Sequence, residues 1–360
     1  MRVYQKSLLM LLLTALVLTA CGCKGKLSEP EMEVLNLNYE LAEDEALEPF
    51  YASDTKIYAG VLKKEPDTMS APGFGFTTEK FIVFDLQSGE AEAEYDPKEK
   101  DVYIYHAMPF EEGIIYAVYT PPEPDAPIED STPWYIKFIS DEGIQVLDSG
   151  RCSSKFSMPA FAQLSGDVYY LYQIFDGNTE CGFGIGKADL NRPETIVKET
   201  DYKLSDPEFY SNGSDFAVHV DGEHDFLIGN ADGIYMEYDL PESMSDFAIC
   251  KDYLFFCTTS DGNKWTTRSI SLKTGEEYAY ETETKEPFYR IASMSGDELT
   301  CISEHWDMYL LRPGKNFEMV PVESPEKEFR EAREYVRYYP YGERGTLAQL
   351  DETKFCRISW

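Results

Sequence analysis

Three carboxylates, Glu48, Asp206 and Glu286, each stand just before a proline in what reads as one repeated position. Glu48-Pro-Phe-Tyr51 returns letter for letter as Glu286-Pro-Phe-Tyr289, and looser versions are Met158-Pro-Ala-Phe161, Asp206-Pro-Glu-Phe-Tyr210 and Tyr339-Pro-Tyr341. Acids that a repeat gathers at one rim can hold Ca²⁺ or a cationic ligand group, or can act as acid and base if their pKa values are pushed apart. Solvated turn acids would occupy the same place, so both readings stand. Histidine adds little: His106, His219, His224 and His305 show no His-Glu-x-x-His or other metal spacing. The compact cluster Ser303-Glu-His-Trp-Asp307 puts His305 and Trp306 in a loop, where they can stack on a sugar or contact a protein, or where the tryptophan simply anchors the loop. Gly182-Phe-Gly-Ile-Gly-Lys187 lies inside a strand pattern rather than between a strand and a helix, so it is not a phosphate loop. No cofactor follows from these residues, with Ca²⁺ as the one ion an acid rim would suit.

What must position these residues is a repeated strand and turn. Phe81-Ile-Val-Phe-Asp-Leu-Gln-Ser-Gly-Glu90 is matched by Ser269-Ile-Ser-Leu-Lys-Thr-Gly-Glu-Glu277, with Asp85 to Glu90 lying over Ser271 to Glu276. Both read as an apolar strand, a polar turn with glycine where positive φ is needed, and a following strand. Degenerate copies fall at Phe138 to Gly143, Ala188 to Glu194, Asn230 to Gly233 and Leu311 to Gly314. A spacing of roughly 40 to 54 residues is that of a four-stranded propeller blade. The proline marker, in a different phase, reads as the start of each blade's first strand, since a proline there costs no ladder donor. Met108-Pro-Phe110 falls at a strand end and stands apart from it.

The expected fold is therefore all-β, a β-propeller of seven four-stranded blades over residues 32 to 360, with six or eight blades as alternatives and a β-sandwich as the competing fold. Blade one uses Phe50 to Ser53, Ile57 to Leu62, Lys80 to Leu86 and Ala91 to Tyr95. The last blade has three strands near Tyr338, Leu347 and Phe355, and its fourth is expected from the alternating stretch Met32 to Tyr39, which closes the ring. Long insertions at Lys63 to Glu79 and Thr120 to Pro133 mark one elaborated face, with Glu48, Asp206, Glu286 and Tyr339 around its channel mouth.

The first residues carry an address. Arg2 and Lys6 precede the apolar run Leu8 to Leu18, which is too short to span a bilayer and reads as a secretory signal over residues 1 to 20. Residues 21 to 31 then read as a tether. With 66 acidic against 32 basic residues, the chain excludes nucleic acid and anionic lipid as charge-driven partners, while 43% hydrophobic content supports a folded core. The eight cysteines show no Cys-x-x-Cys spacing, and several sit within apolar strands, where they read as buried thiols.

Leu18-Thr-Ala-Cys21 resembles the lipobox of bacterial lipoproteins. The resemblance implies lipidation of Cys21, cleavage after Ala20 and anchoring at the extracytoplasmic face of a bacterial cell membrane. Asp85-Leu-Gln-Ser-Gly-Glu90 is also similar to the Asp-x-x-Thr-Gly phrase of quinoprotein-like propeller repeats, found among envelope-assembly lipoproteins. That resemblance supports the fold and brings no site residues with it. The function expected is a non-catalytic binding or scaffold module for an envelope protein or glycan. An envelope enzyme with carboxylates at the channel mouth, and a sensor for a membrane partner, are the alternatives.

Overall fold

Strands of alternating burial joined by short polar turns leave each hairpin's apolar face to be covered by the next, and the chain repeats that unit until it meets its own beginning. The computed structural model describes Leu27 and residues 30–64, 76–99, 103–119, 132–152, 159–205, 209–221, 223–240, 243–259, 265–280, 288–295, 298–303, 307–322, 337–340 and 345–360. After β1 (Glu31–Asn36), blade one is β2 (Glu45–Ala52), β3 (Lys56–Lys64), β4 (Phe76–Asp85) and β5 (Ala91–Tyr95). Blade two is β6 (Tyr103–Phe110), β7 (Gly113–Tyr119), β8 (Thr132–Ser140) and β9 (Gly143–Cys152). Blade three is β10 (Ala160–Leu164), β11 (Asp167–Asp176), β12 (Thr179–Lys187) and β13 (Glu194–Glu199). Blade four has a first strand split into β14 (Lys203–Leu204) and β15 (Tyr210–Ser211), then β16 (Asp215–Asp221), β17 (Phe226–Asn230) and β18 (Gly233–Tyr238). Blade five is β19 (Ser243–Cys250), β20 (Tyr253–Thr259), β21 (Trp265–Ser271) and β22 (Glu277–Tyr280). Blade six is β23 (Phe288–Ser295), β24 (Glu298–Ser303), β25 (Met308–Arg312) and β26 (Glu318–Pro321), and blade seven adds β27 (Arg337–Pro340), β28 (Gly345–Asp351) and β29 (Lys354–Ser359).

These strands form seven antiparallel sheets, each a blade. Their first strands β27, β2, β6, β10, β15, β19 and β23 lie side by side, and β23 returns to β27, so the blades close a ring. The last sheet has the order β1-β29-β28-β27. β1 runs antiparallel to β29 from Glu31 opposite Ser359 to Asn36 opposite Lys354, and the Leu37 N–H extends the seam to the Thr353 carbonyl at 2.8 Å. The expected closing strand is thus present, one residue earlier than the alternation suggested.

The repeated turn joins the third strand to the fourth in blades one to six, and its leucines in blades one and five pack against the blade before. In blade one the Leu86 N–H reaches the Thr55 carbonyl (2.8 Å), Gly89 N–H the Asp85 carbonyl (2.9 Å) and Asp85 N–H the Glu90 carbonyl (3.0 Å). Blade five repeats the set: Leu272 to Asp252 (2.8 Å), Gly275 to Ser271 (2.8 Å) and Ser271 to Glu276 (2.9 Å). Gly89 and Gly275 adopt φ of 72° and 68°, the left-handed region that an L side chain resists. Leu86 joins a core that includes Leu347 and Phe355 of blade seven, and Leu272 one that includes Phe226 and Ile228 of blade four. Blade six does the same with the Tyr280 hydroxyl, which donates to the Gly314 carbonyl (3.1 Å) while Tyr280 stacks on Phe317 at 4.2 Å.

The proline marker is corrected. Pro49 lies inside β2 and Pro340 ends β27, whereas Pro159 does precede its strand and Pro109 falls, as expected, at the end of one, the first strand β6. First strands pair on one edge and face the channel with the other, so a missing N–H is tolerated along their length rather than at the start alone. β2 absorbs Pro49 with a bulge before Tyr51 and begins at Glu45, five residues ahead of the expected Phe50.

Cys152, Cys250, Cys257, Cys301 and Cys356 are buried and Cys181 is half-buried, all as thiols outside disulfides. Leu27, 7% exposed, is packed with Met308, Val322, Cys356 and Ile358 at the junction of blades six and seven. Its N–H donates to Glu318 Oε2 (3.1 Å), which also accepts from Arg312 Nη1 (3.1 Å), while Arg312 Nη2 donates to the buried Glu298 (2.7 Å). An ion pair with its lone pairs and protons matched in this way avoids an uncompensated buried charge.

Candidate functional site

Alternation on β2 buries Leu47 and Pro49 and leaves Glu48 between them half-buried, near the end of the channel where blades connect to one another. The strand ends that flank the two long insertions, Lys64 and Phe76 in blade one and Tyr119 and Thr132 in blade two, lie on that same side, and the insertions themselves lie outside the described residues. This is the loop side of the ring; the side carrying the repeated turns is the turn side.

Tyr339 comes to the first strand beside Glu48's, since β27 neighbours β2. Its hydroxyl donates to Gln349 Oε1 (3.2 Å), Gln349 Nε2 donates to the Leu47 carbonyl (2.8 Å), and the Leu47 N–H reaches Glu352 Oε2 (3.4 Å). Tyr339 therefore takes part in the joint that closes blade seven onto blade one. Cys21, Asp206, Glu286, His305 and Trp306 lie outside the described residues, so the rim of three acids is represented by Glu48. Among the described residues no group of three or more histidine, cysteine or acidic side chains is arranged to hold a metal ion.

At the turn side the structure shows a polar brace that no linear motif announces. The Tyr51 hydroxyl of blade one donates to Gln163 Oε1 of blade three at 3.4 Å, passing the first strand of blade two. The Gln163 carbonyl accepts the Ser211 hydroxyl of blade four (2.7 Å), and Asn212 Nδ2 donates to the Lys251 carbonyl of blade five (2.6 Å). Burial, with Tyr58 and Asp54 nearby, raises the Tyr51 pKa, which keeps it a neutral donor. The brace fixes the spacing of four first strands and gives the turn-side mouth a rigid rim.

Two histidines have opposite surroundings. Loss of solvent around His106, on β6, pulls its imidazole down to about 4, so it is neutral at pH 7. His224 sits at the blade-four rim between Asp239 (Nδ1, 2.7 Å) and Glu237 (Nε2, 2.9 Å), with Tyr202 stacked beside it. The hydrogen bond to Asp239 raises its pKa, and with both ring nitrogens engaged this is a proton-holding cluster rather than a metal site. Its members come from a loop and from the far end of β18, so only folding brings them together.

No protein-family model matches the chain, and no curated protein matches it. Solved structures do. A chain of the mitotic checkpoint complex superposes with a TM-score of 0.50 at 7% identity, covering 94% of each chain. YCF48 bound to a D1 peptide superposes at 0.54 and 8% identity, over 93% of this chain and 97% of that one. BamB from Moraxella catarrhalis gives 0.48 at 9% identity, over 92% and 97%. At such low identity the first two superpositions show likeness of fold alone.

Proposed function

We propose that this chain is a lipid-anchored propeller on the extracytoplasmic face of a bacterial cell membrane, and that it binds a protein partner as a non-catalytic scaffold. The observation that carries the reading is the division of the ring into a braced turn side and a loop side where the strands flanking both long insertions end. Peptide binding by a similar fold, YCF48 bound to a D1 peptide, supports a protein as the ligand class. Lipidation rests on Leu18-Thr-Ala-Cys21, and Leu27 supports a defined orientation. Glu318, which holds the Leu27 N–H, begins β26 on the turn side. The six residues from Cys21 to Leu27 reach about 20 Å at most, so an anchor at Cys21 holds the turn side toward the bilayer and the loop side away from it.

The test is an immobilised chain from Lys24 onward challenged with envelope extract and with purified wall glycan, reading bound material and released products together. One-to-one capture of a protein without turnover supports the scaffold. Cleaved products overturn it in favour of an enzyme with Glu48 at its mouth, and retention of glycan alone overturns the protein assignment. The anchor is tested separately by Cys21→Ala, which is expected to abolish fatty-acid labelling and release the chain from membranes.

A further inference from the structure

Outer strands of a propeller pair on one edge only, and most here are short. β5 has 5 residues, β22 and β26 have 4 each, and β1, β13 and β18 have 6 each. β9 of blade two has 10. It pairs with β8 alone, so alternate N–H and C=O groups along it point away from the sheet. β9 also presents exposed aliphatic side chains, whereas among the other described outer strands the one large exposed apolar residue is Tyr235 of β18. Ile144 is 42% and Val146 55% exposed, and with Tyr135 of β8 they make up three of the four large exposed apolar residues described. Ile144 lies opposite Ile139 and Val146 opposite Lys137, so the two share one face, two residues apart. Inward, that face runs into the core where Ile139, Ile114 and Tyr116 meet Phe81 and Val83 of blade one.

Charge defines one end of this surface. The β6–β7 turn is Glu111-Glu112 and the β8–β9 turn is Asp141-Glu142, all four exposed. The turns are neighbours: a Cβ on Gly113 would stand 2.1 Å from the Ile139 carbonyl. Lys137, the nearest cation on the face, is already paired with Glu99 at 2.6 Å. In blade five the corresponding turns pair Lys273 with Asp252 at 2.7 Å, so an all-acid pair of turns is not imposed by the fold.

From this we propose that β9 is the docking edge for an extended segment of the partner protein, added to blade two as a fifth strand, with apolar residues over Ile144 and Val146 and lysine or arginine over Glu111, Glu112, Asp141 and Glu142. Backbone pairing supplies affinity and the alternating side chains supply selection. A second copy of this chain is disfavoured, because it would bring four like charges and an overall charge of −34 against their equals. The proposal rests on the protein-binding reading above and names its surface.

The probe is a synthetic peptide of alternating valine and threonine headed by two lysines, compared with the same peptide headed by two glutamates, against the full mature chain. The lysine-headed peptide is expected to bind at least about tenfold more tightly and to slow hydrogen exchange along β9. Val146→Asp, at an exposed position, should abolish that binding, and the double variant D141K/E142K, which balances Glu111 and Glu112 with two lysines, should erase the preference without touching the apolar face. Equal binding of both peptides, protection elsewhere, or indifference to both variants overturns the proposal. So does concentration-dependent self-association that buries β9. If Val146→Asp still captures the envelope protein as the parent chain does, the docking edge fails while the scaffold stands; if the parent chain captures none, the scaffold itself fails.

Discussion

The turn at Asp85–Glu90 and the turn at Ser271–Glu276 make the same three backbone hydrogen bonds within 0.1 Å or so of one another, yet they lean on different things. Blade five's turn is approached by side chains from blade four: the Tyr238 hydroxyl donates to Glu277 at 3.2 Å and its ring meets Phe256 at 5.8 Å. Blade one's turn is approached by backbone. The chain leaving β1 crosses it so closely that a Cβ on Gly89 would lie 2.3 Å from the Asn36 carbonyl, whereas one on Gly275 would meet nothing within 4 Å. Asn38 completes the contact, its N–H bonding the Gly89 carbonyl at 2.8 Å and its side chain reaching Glu90 at 2.8 Å. The local phrase specifies the turn, and the neighbour decides how much of the ring depends on it.

The largest effects should be common to both turns. Leu86→Ala and Leu272→Ala each remove a buried side chain from a core between blades, and each is expected to cost about 2–5 kcal/mol by denaturant melts. A disparity above roughly half that value would mean the blade junctions are not equivalent. Next, Gly275→Ala should cost about 1–2 kcal/mol from its positive φ alone, while Gly89→Ala adds a collision with backbone and should cost about 3 kcal/mol or more. Equal costs in the two melts would show that the closing segment yields freely. Asn38→Ala should cost about 1 kcal/mol, read as faster amide exchange at Gly89 with Gly275 unchanged. The smallest effect is one of pH. The Ser88 hydroxyl and N–H hold the Asp85 carboxyl below its ordinary value of 3.8, so its stabilising contribution is complete above that value and is lost as pH falls through the lower folded value. Ser271 stands at the equivalent place, so acidification below 3.8 should lower the protection of the Gly89 amide relative to its intrinsic exchange rate and leave that of Gly275 unchanged.

Much of the ring could be read from residues in succession. Asp85–Glu90 and its copies mark the third-to-fourth strand turns because polar residues are demanded there, with a positive-φ glycine in all but the Ala188 to Glu194 copy. Met32 to Tyr39 was legible as the closing strand through alternation alone. The proline at residue 49 misled for a physical reason: whether a strand tolerates proline depends on whether its other edge has a partner, and a first strand's channel edge has none. Blade four's first strand, split between β14 and β15, likewise follows pairing with β16 rather than any local pattern. The candidate site was less legible. Glu48 and Tyr339 do come to adjacent strands, but the hydroxyl of Tyr339 serves the closing joint through Gln349. The Tyr51–Gln163 brace and the His224 cluster join residues whose proximity is created by the curvature of the ring.

Closure by β1 also orders events in time. The first described strand is the partner of the last, so the ring cannot finish until β29 has been synthesised, and β1 must wait with an open edge. Pairings this distant in sequence are slow to form, and a waiting edge invites the wrong neighbour. β1 meets that hazard with exposed Glu31 and Glu33, charges that discourage adventitious pairing; once Arg357 arrives, Glu33 takes it as an ion-pair partner. A chain that stalls before its final three strands would therefore be left as an unfinished circle whose waiting edge carries Glu31 and Glu33.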